Sequence, residues 1–283
     1  MLREDDARAP FFCTIEPVQI KREPLILGID STTDVRSVAL VAGTHVRAQS
    51  ASSLRGAKAA NLLSDIDFVL REGGAALRNV ELFAVANGPG SFTGLRAGLA
   101  TVKAFAVTLA KPVVGVPTLH AVASAQGPAP RVVAMLPAGR GEVFAQLLKV
   151  AQSGAVEELE RPIHVSPQTL VACAVNWPQP LRWAGAGAEL HVELLRDAAA
   201  QADIIWQDES DNVKAQELDK QEIDKLEEGA RVWQLAPRVD AYAVEIARLA
   251  LLAYKNGETS AAEELQALYV RPSDAELNER CRV

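Results

Sequence analysis

The chain is poor in the residues that most often carry chemistry or staple a small fold. It has three cysteines, four histidines, two methionines and 5% aromatics among 283 residues. Cys13, Cys173 and Cys281 are far apart and include no CxxC pair, which argues against a disulfide framework and a structural zinc site. His45, His120, His164 and His191 show neither HxxxH nor HExxH spacing, and no cysteine has a histidine close by. No metal ligand set and no Ser-His-Asp or Cys-His arrangement follows from such a pattern, so no catalytic residue is assigned. A basic excess is missing too. Lys plus Arg number 29 against 36 Asp plus Glu, a net charge of −7, which disfavours a broad phosphate-gripping surface and leaves tRNA contact only through a complex. The N-terminus MLREDDARAP lacks a signal-peptide apolar core. The longest apolar stretch, Leu99 to Val116, is broken by Lys103 and Lys111 and ended by Pro112, too short and too charged for a bilayer. A soluble cytoplasmic protein with no membrane partner is expected.

What is present is core material: 49% of residues are hydrophobic, and with so few aromatics it is alanine, leucine and valine that must fill the interior. The length allows one large domain or two lobes. Residues 1–23 alternate charge and proline without a period and read as a flexible tail. Leu25–Ile29, Arg36–Val41 and His45–Ser50 read as strands, the first two joined by the hydroxyl-rich turn Asp30-Ser31-Thr32-Thr33. Lys58–Glu72 has the helical period, with Leu62, Leu63, Ile66, Val69 and Leu70 as its apolar set. Leu82–Ala86 is a buried strand running into Asn87-Gly-Pro-Gly-Ser-Phe-Thr-Gly94, then a helix over Thr93–Ala110, a strand over Val113–Val116, and a short helix that the Thr118 hydroxyl can cap. Beyond residue 128 the pattern returns in character without a sequence repeat. Strands 132–136 and 142–150 flank Pro137–Gly141, Ser166-Pro167 starts a helix, and Arg182–Ala184 enters Gly185-Ala-Gly187 before a helix through Leu195. Gln207–Gly229 is densely charged and reads as a solvated insertion, Asp240–Tyr254 as an amphipathic helix, and Leu268–Val270 as a last strand. Strands precede helices in both halves, so the fold class is α/β in two lobes, 24–127 and 128–283.

Three segments could carry function. In the turn Asp30-Ser31-Thr32-Thr33, an aspartate followed by three hydroxyls could hold hydrated magnesium and phosphate, but these residues also close an Asx or Ser/Thr turn by themselves. The glycine loop, with Gly88, Pro89, Gly90, Ser91, Thr93, Gly94 and then Arg96, could offer backbone amides to an anion at a helix N-terminus. It has neither Walker A nor GxGxxG spacing, and Pro89 spoils a nucleophile elbow; the plain alternative is a tight backbone crossing. The following helix is apolar nearly all round, with Arg96 and Lys103 on one narrow stripe, so it is either central to one domain or shared with a partner.

The segments LILGIDSTTDVRSVALV, FAVANGPGSFTGLRAGLATVKAFA, KPVVGVPTLHAVA, GRGEVFAQLL and LYVRPSDAEL together resemble the YeaZ-like family of bacterial tRNA threonylcarbamoyladenosine biosynthesis proteins, TsaB. The resemblance covers most of Leu25–Leu277 and rests on the specific block Gly88–Arg96. It implies two similar lobes of the actin, hexokinase and Hsp70 (ASKHA) type. It also implies a role in placing threonylcarbamoyl on adenosine 37 of tRNAs reading ANN codons. In that pathway the TsaB-like chain is a non-catalytic scaffold and activator, pairing with the catalytic paralogue TsaD and the ATPase TsaE, and a homodimer when alone. The turn at Asp30 is then a vestigial phosphate loop, nucleotide binding by the isolated subunit is weak or absent, and no cofactor is needed. The partner interface implied comprises Leu62, Ile66, Phe68, Val69, Gly94, Ala97, Gly98 and Thr101. Two departures stand out: Pro137-Ala138-Gly139-Arg140 replaces an acid-bearing turn, and Arg55-Gly56 replaces a His-Ser helix start. An ATP-binding phosphotransferase of the same fold is the alternative function, and a metallopeptidase ranks last.

Overall fold

Continuous apolar runs, rather than alternating ones, dominate the strand segments, and such runs belong in sheets covered on both faces. The computed structural model describes residues 23–53, 61–208 and 231–270. Its first sheet contains β1 (Leu25–Asp30), β2 (Val35–Ala42), β3 (His45–Ser53), β4 (Leu82–Ala86) and β5 (Val113–Val116), in the order β3-β2-β1-β4-β5. β1 and β2 pair antiparallel, as do β2 and β3, whereas β4 and β5 extend the sheet in parallel from β1. All residues of β1 and β4 are buried.

The second sheet repeats this plan without repeating the sequence. It holds β6 (Ala129–Gly139), β7 (Glu142–Val150), β8 (Val156–Glu158), β9 (Ile163–Val165), β10 (Leu181–Ala184), β11 (Ile205–Asp208) and β12 (Val232–Leu235). The order β8-β7-β6-β10-β12, with antiparallel pairs first and parallel pairs after, matches β3-β2-β1-β4-β5, and β11 is added at the edge. The expected two-lobed α/β architecture is therefore what the chain has.

Seven helices are described: α1 (Leu62–Glu72), α2 (Phe92–Leu109), α3 (Thr118–Ser124), α4 (Pro167–Ala174), α5 (Ala186–Leu190), α6 (Val192–Gln201) and α7 (Ala243–Lys255). α1 and α2 cover the outer face of the first sheet, in a core with Leu27, Ile29, Phe83 and Val85. α4, α5 and α6 cover the outer face of the second, where Trp183 and Trp233 meet edge-on at 4.9 Å and are fully buried. The scarce aromatics are concentrated there, while alanine, leucine and valine fill most of the rest. Between the sheets lies a shared layer in which α3 rests on β6 and β7, and α7 rests on β1, β2, β4 and β5. The last helix thus crosses back to the first lobe. Gly28 on β1 permits this crossing, because a Cβ there would stand 2.3 Å from the Ala243 carbonyl oxygen.

Several sequence expectations shift. Thr118 does not cap α3; Pro117 occupies that position, and Thr118 is buried with its hydroxyl turned elsewhere. Ser166 does cap α4, accepting from the Thr169 amide at 3.2 Å. Leu268–Val270 forms no strand. α1 begins at Leu62, capped by Asn61. Residues 1–22 of the expected tail, Arg55-Gly56, and the charged segment beyond Asp208 lie outside the described residues; Gln207 and Asp208 end β11. Cys173 stands in a disulfide, against the expectation of none, and its partner lies outside the described residues.

Two polar contacts fix the helices. Arg36 Nε donates to Asp65 Oδ2 at 2.6 Å, and Ser52 Oγ donates to Oδ1 at 3.2 Å, so a buried ion pair ties α1 to β2 and β3. Ser37 Oγ on β2 accepts from the backbone N–H groups of Tyr242 (3.2 Å) and Ala243 (3.1 Å), satisfying the N-terminus of α7 from across the chain. Removing a side-chain cap costs about 1 kcal/mol. Ser37→Ala should lower unfolding stability by about that amount or somewhat more, because these donors are buried, with an unchanged urea m-value. An unchanged urea midpoint would show that α7 is held by packing alone.

Candidate functional site

Asp30 ends β1 inside the protein, fully buried. Its Oδ1 accepts from the Thr32 amide (2.8 Å) and hydroxyl (2.7 Å), and Oδ2 accepts from the Thr33 hydroxyl (2.7 Å). Burial pushes its pKa up, and these hydrogen bonds hold it back down. The carboxylate is therefore consumed by its own turn. The Thr32 hydroxyl also meets that of Thr118 at 3.1 Å, a partner that nothing in the sequence spacing signals.

The remaining oxygens of the turn are taken by α2. The Ser91 amide donates to the Thr32 carbonyl at 2.7 Å, and the Ser31 hydroxyl donates to the Gly94 carbonyl at 2.8 Å. Ser91 caps the helix, accepting from the Gly94 amide at 3.3 Å. Gly90, Gly94 and Gly98, four residues apart, form the stripe that makes this approach possible. A Cβ at Gly90 would lie 2.4 Å from the Thr32 carbonyl oxygen, at Gly94 1.7 Å from that of Ser31, and at Gly98 2.4 Å from Ser31 Oγ. The tight backbone crossing, not an anion cradle, accounts for these glycines. Gly88 is used differently: its φ is +106°, and a Cβ would meet the Leu268 carbonyl at 2.7 Å, where Leu268 donates its amide to Asn87.

The turn forms one wall of a cleft of about 640 Å³ between the lobes. Thr32, Thr33 and Asp34 face the β6–β7 turn (Pro137, Ala138, Gly139) across it, while Phe92, Leu95, Phe144, Leu190, Leu268 and Tyr269 supply apolar surface. Among the described residues, neither lysine nor arginine nor histidine lines it, and Asp34 is the lone carboxylate that does. Arg96 holds its guanidinium 3.8 Å above the ring of the lining residue Phe92. The histidines sit apart, on β3, α3, β9 and the α5–α6 junction. His120 is 3.1 Å from Glu158, and burial lowers its pKa. Among the described residues no group of three or more His, Cys, Asp or Glu could hold a metal.

The interface residues implied by the resemblance separate into two groups. Leu62, Ile66, Val69 and Gly98 are buried against the first sheet, whereas Gly94, which rests on Ser31, is half-buried. Asp65 is also inside, held by Arg36, not on a polar outer side. Phe68, Ala97 and Thr101 do reach the surface. With them stand Leu63, Ala100, Ala104 and Val107, which sequence reasoning missed; Val107 is 61% and Leu63 54% exposed. The 3-4-3 spacing of Ala97, Ala100, Ala104 and Val107 was the available signal.

A sequence-family model described as "TsaD: tRNA N6-adenosine threonylcarbamoyltransferase" matches residues 56–183. The chain is 34% identical to the tRNA threonylcarbamoyladenosine biosynthesis protein TsaB of Escherichia coli (strain K12) over 122 residues, 42% of this chain and 52% of that protein. The match to TsaB of Haemophilus influenzae likewise spans 51% of that protein, so the chain spans about half the length of these curated relatives. To TsaB of Bacillus subtilis (strain 168) it is 24% identical over 213 residues, 75% of this chain and 92% of that protein. A solved structure titled "YeaZ from Pseudomonas aeruginosa" superposes with a TM-score of 0.66 at 25% identity, covering 87% of this chain and all of that one. The resemblance to TsaB and YeaZ proteins, and the ASKHA-type two-lobed fold, are both supported. Among the described residues no helix is long and apolar enough to cross a membrane.

The turn geometry makes two substitutions informative. Asp30→Ala would strand buried donors at Thr32 and Thr33 and should cost about 2–3 kcal/mol. Because the folded pKa is raised, the protonated form adds stability that is complete below the reference value of 3.8 and fades as pH rises past the folded value. Asp30→Asn should abolish that pH dependence in chemical denaturation. Gly98→Glu should prevent folding outright, seen as lost circular dichroism, since its side chain would enter the Ser31 contact.

Proposed function

We propose that the chain is a non-catalytic scaffold and activator subunit in the formation of threonylcarbamoyladenosine at position 37 of tRNAs reading ANN codons. The carrying observation is that the β1–β2 turn, the natural phosphate loop of this fold, is already filled by α2, while the opposite side of that helix is apolar and open. Internal satisfaction of Asp30 counts against its use as a phosphotransferase's acid, and among the described residues no cation lines the cleft to grip a nucleotide. The curated relatives named TsaB support the pathway. Among the described residues a metallopeptidase has no ligand set to work with.

In this reading the outer faces of α1 and α2 carry the partner. Phe68 (51% exposed), Leu63 and Val107 are large enough to anchor an interface, and the alanines between them allow a facing helix to approach closely. The partner is a TsaD-type paralogue that supplies the catalysis, a TsaE-type ATPase joins the pair, and a second copy takes the same face when the chain is alone. Burial of such a surface is worth roughly 25 cal/mol per Å² before association costs. Contact with tRNA is left to the complex, as the −7 charge suggests.

Expression in a bacterium depleted of its own TsaB should restore threonylcarbamoyladenosine in digested tRNA, read by mass spectrometry. Unrestored nucleoside alongside folded, expressed protein would reject the proposal. Val107→Glu should leave the monomer folded yet reduce capture of a TsaD-type subunit at least tenfold, measured by calorimetry, because a charge would be buried without a partner.

A further inference from the structure

We propose that the open edge of β5 docks an extended peptide segment of a partner protein, with aliphatic side chains at alternate positions and a small one between them. The site faces the layer shared by the two lobes, so it stands or falls independently of how the outer face of α2 is used. β5 is the last strand of the first sheet and pairs in parallel with β4 on one side. The Phe83 and Asn87 amides donate to the Pro112 (3.2 Å) and Val116 (3.0 Å) carbonyls, so those residues turn their backbone groups to β4. Val113 and Gly115, out of phase with them, turn theirs to the open side.

Val113 is met there by Ser260, its N–H donating at 3.1 Å and its carbonyl accepting at 3.0 Å, in an antiparallel bridge. One more pair in that register would set Glu258 opposite Gly115. The Glu258 amide instead donates to the Ala253 carbonyl of α7 at 2.8 Å, which draws the chain off the edge. Among the described residues nothing bonds the outward N–H and C=O of Gly115. A backbone pair of this kind is ready to receive a further strand.

A pocket of about 300 Å³ opens at this point, lined by both Gly115 and Glu258. Val114 and Val116 of β5, Leu249 and Leu252 of α7 and Val156 of β8 give it apolar walls, and its size is at the lower end for ligand sites. Gly115 is half-buried, so the edge is open to water. Val156 belongs to the second sheet, so a segment seated here touches both lobes. An unpaired edge beside an apolar hollow is what strand addition uses: backbone bonds attach the peptide, and alternate side chains fill pockets. A free apolar molecule would fill the hollow yet leave Gly115 unpaired. Strand period then sets the pattern. The residue that pairs with Gly115 directs its side chain to the face where a Cβ on Gly115 would meet Leu265 Cδ1 at 2.8 Å, so that residue is small. Its two neighbours point to the other face, as Val114 and Val116 do, and enter the pocket.

The test uses the full isotope-labelled chain and three tripeptides, each acetylated and amidated. Valyl-seryl-valine should shift the Gly115 amide resonance and slow its hydrogen exchange. Methylating the serine nitrogen, which removes the donor that faces the Gly115 carbonyl, should weaken binding about tenfold, and so should aspartate in place of both valines. Ala155→Trp, at an exposed position on the pocket rim, should keep the circular dichroism spectrum and lose the valine peptide. Equal binding by the methylated peptide would overturn the proposal, since filling of a hollow would then suffice. So would unaltered binding to Ala155→Trp, or no shift at about 5 mM peptide. A Gly115 amide that already resists exchange in the free chain overturns it in favour of an occupant from this chain. Protection that grows with protein concentration does so in favour of a second copy.

Discussion

The seating of α2 on the β1–β2 turn is the contact on which the rest of the first lobe depends. Three glycines at four-residue intervals bring the helix backbone against Ser31 and Thr32, and two hydrogen bonds lock it there. Once fixed, α2 can bury Leu95, Leu99, Val102 and Ala106 against the sheet. Its other face is then turned outward by geometry alone, since a helix presents opposite sides about two residues apart in phase. The same contact occupies the Thr32 carbonyl and the Ser31 hydroxyl of the turn. The filled turn and the outward helix face are thus consequences of one packing choice.

The second lobe shows the same choice made with different residues. Gly185 and Gly187 follow β10 as the glycine loop follows β4, and a Cβ at Gly187 would lie 2.9 Å from the Met135 backbone on β6. Both crossings put a helix start on the central strand of a five-strand motif, where side chains would clash. The shared layer of α3 and α7 then joins the two motifs: Ser37 holds α7 to the first sheet, and Ser124 on α3 donates to Glu245 on α7 at 2.9 Å. Lobes that share their innermost helices in this way gain most of their burial together, with roughly 1.5–3 kcal/mol for each large aliphatic side chain removed from water.

Much of this was legible in the sequence. β4, β5 and β7 have the expected bounds, because an apolar run bounded by glycine, proline or charge has few alternatives. The glycine loop and the turn at Asp30 were both singled out, yet each carried two readings that only the three-dimensional contact between them separates. Spacing along the chain cannot show that Gly90, Gly94 and Gly98 meet Ser31 and Thr32, some sixty residues earlier. Part of the implied interface turns inward for a related reason. Leu62, Ile66 and Val69 have the right chemistry for a partner, but they belong to the stripe that a helix needs for its own sheet, and the outward Leu63 was counted with them. Gly98 was taken as room for a neighbouring chain when the neighbour is this chain's own hydroxyl. Thr118 and Asp65, both buried and polar, give no periodic signal at all.

The two turns facing the cleft also differ in a way that bears on its chemistry. The first retains an aspartate but satisfies it completely from Thr32 and Thr33, so its charge is held inside and is unavailable to a ligand. The second has Pro137, Ala138 and Gly139 where an acid could have stood, and presents apolar or backbone surface instead. In a phosphotransferase, paired turns must each offer donors or a metal-binding acid to the same phosphate chain; here, among the described residues, Asp34 on the first turn is the one carboxylate facing the cleft. An opening stripped of those groups still has to be filled or hydrated. With Phe92, Leu95, Phe144 and Leu190 on its walls, water gains little by entering, and an apolar group gains by displacing it. Among the described residues the walls of this cleft thus present more hydrocarbon than charge.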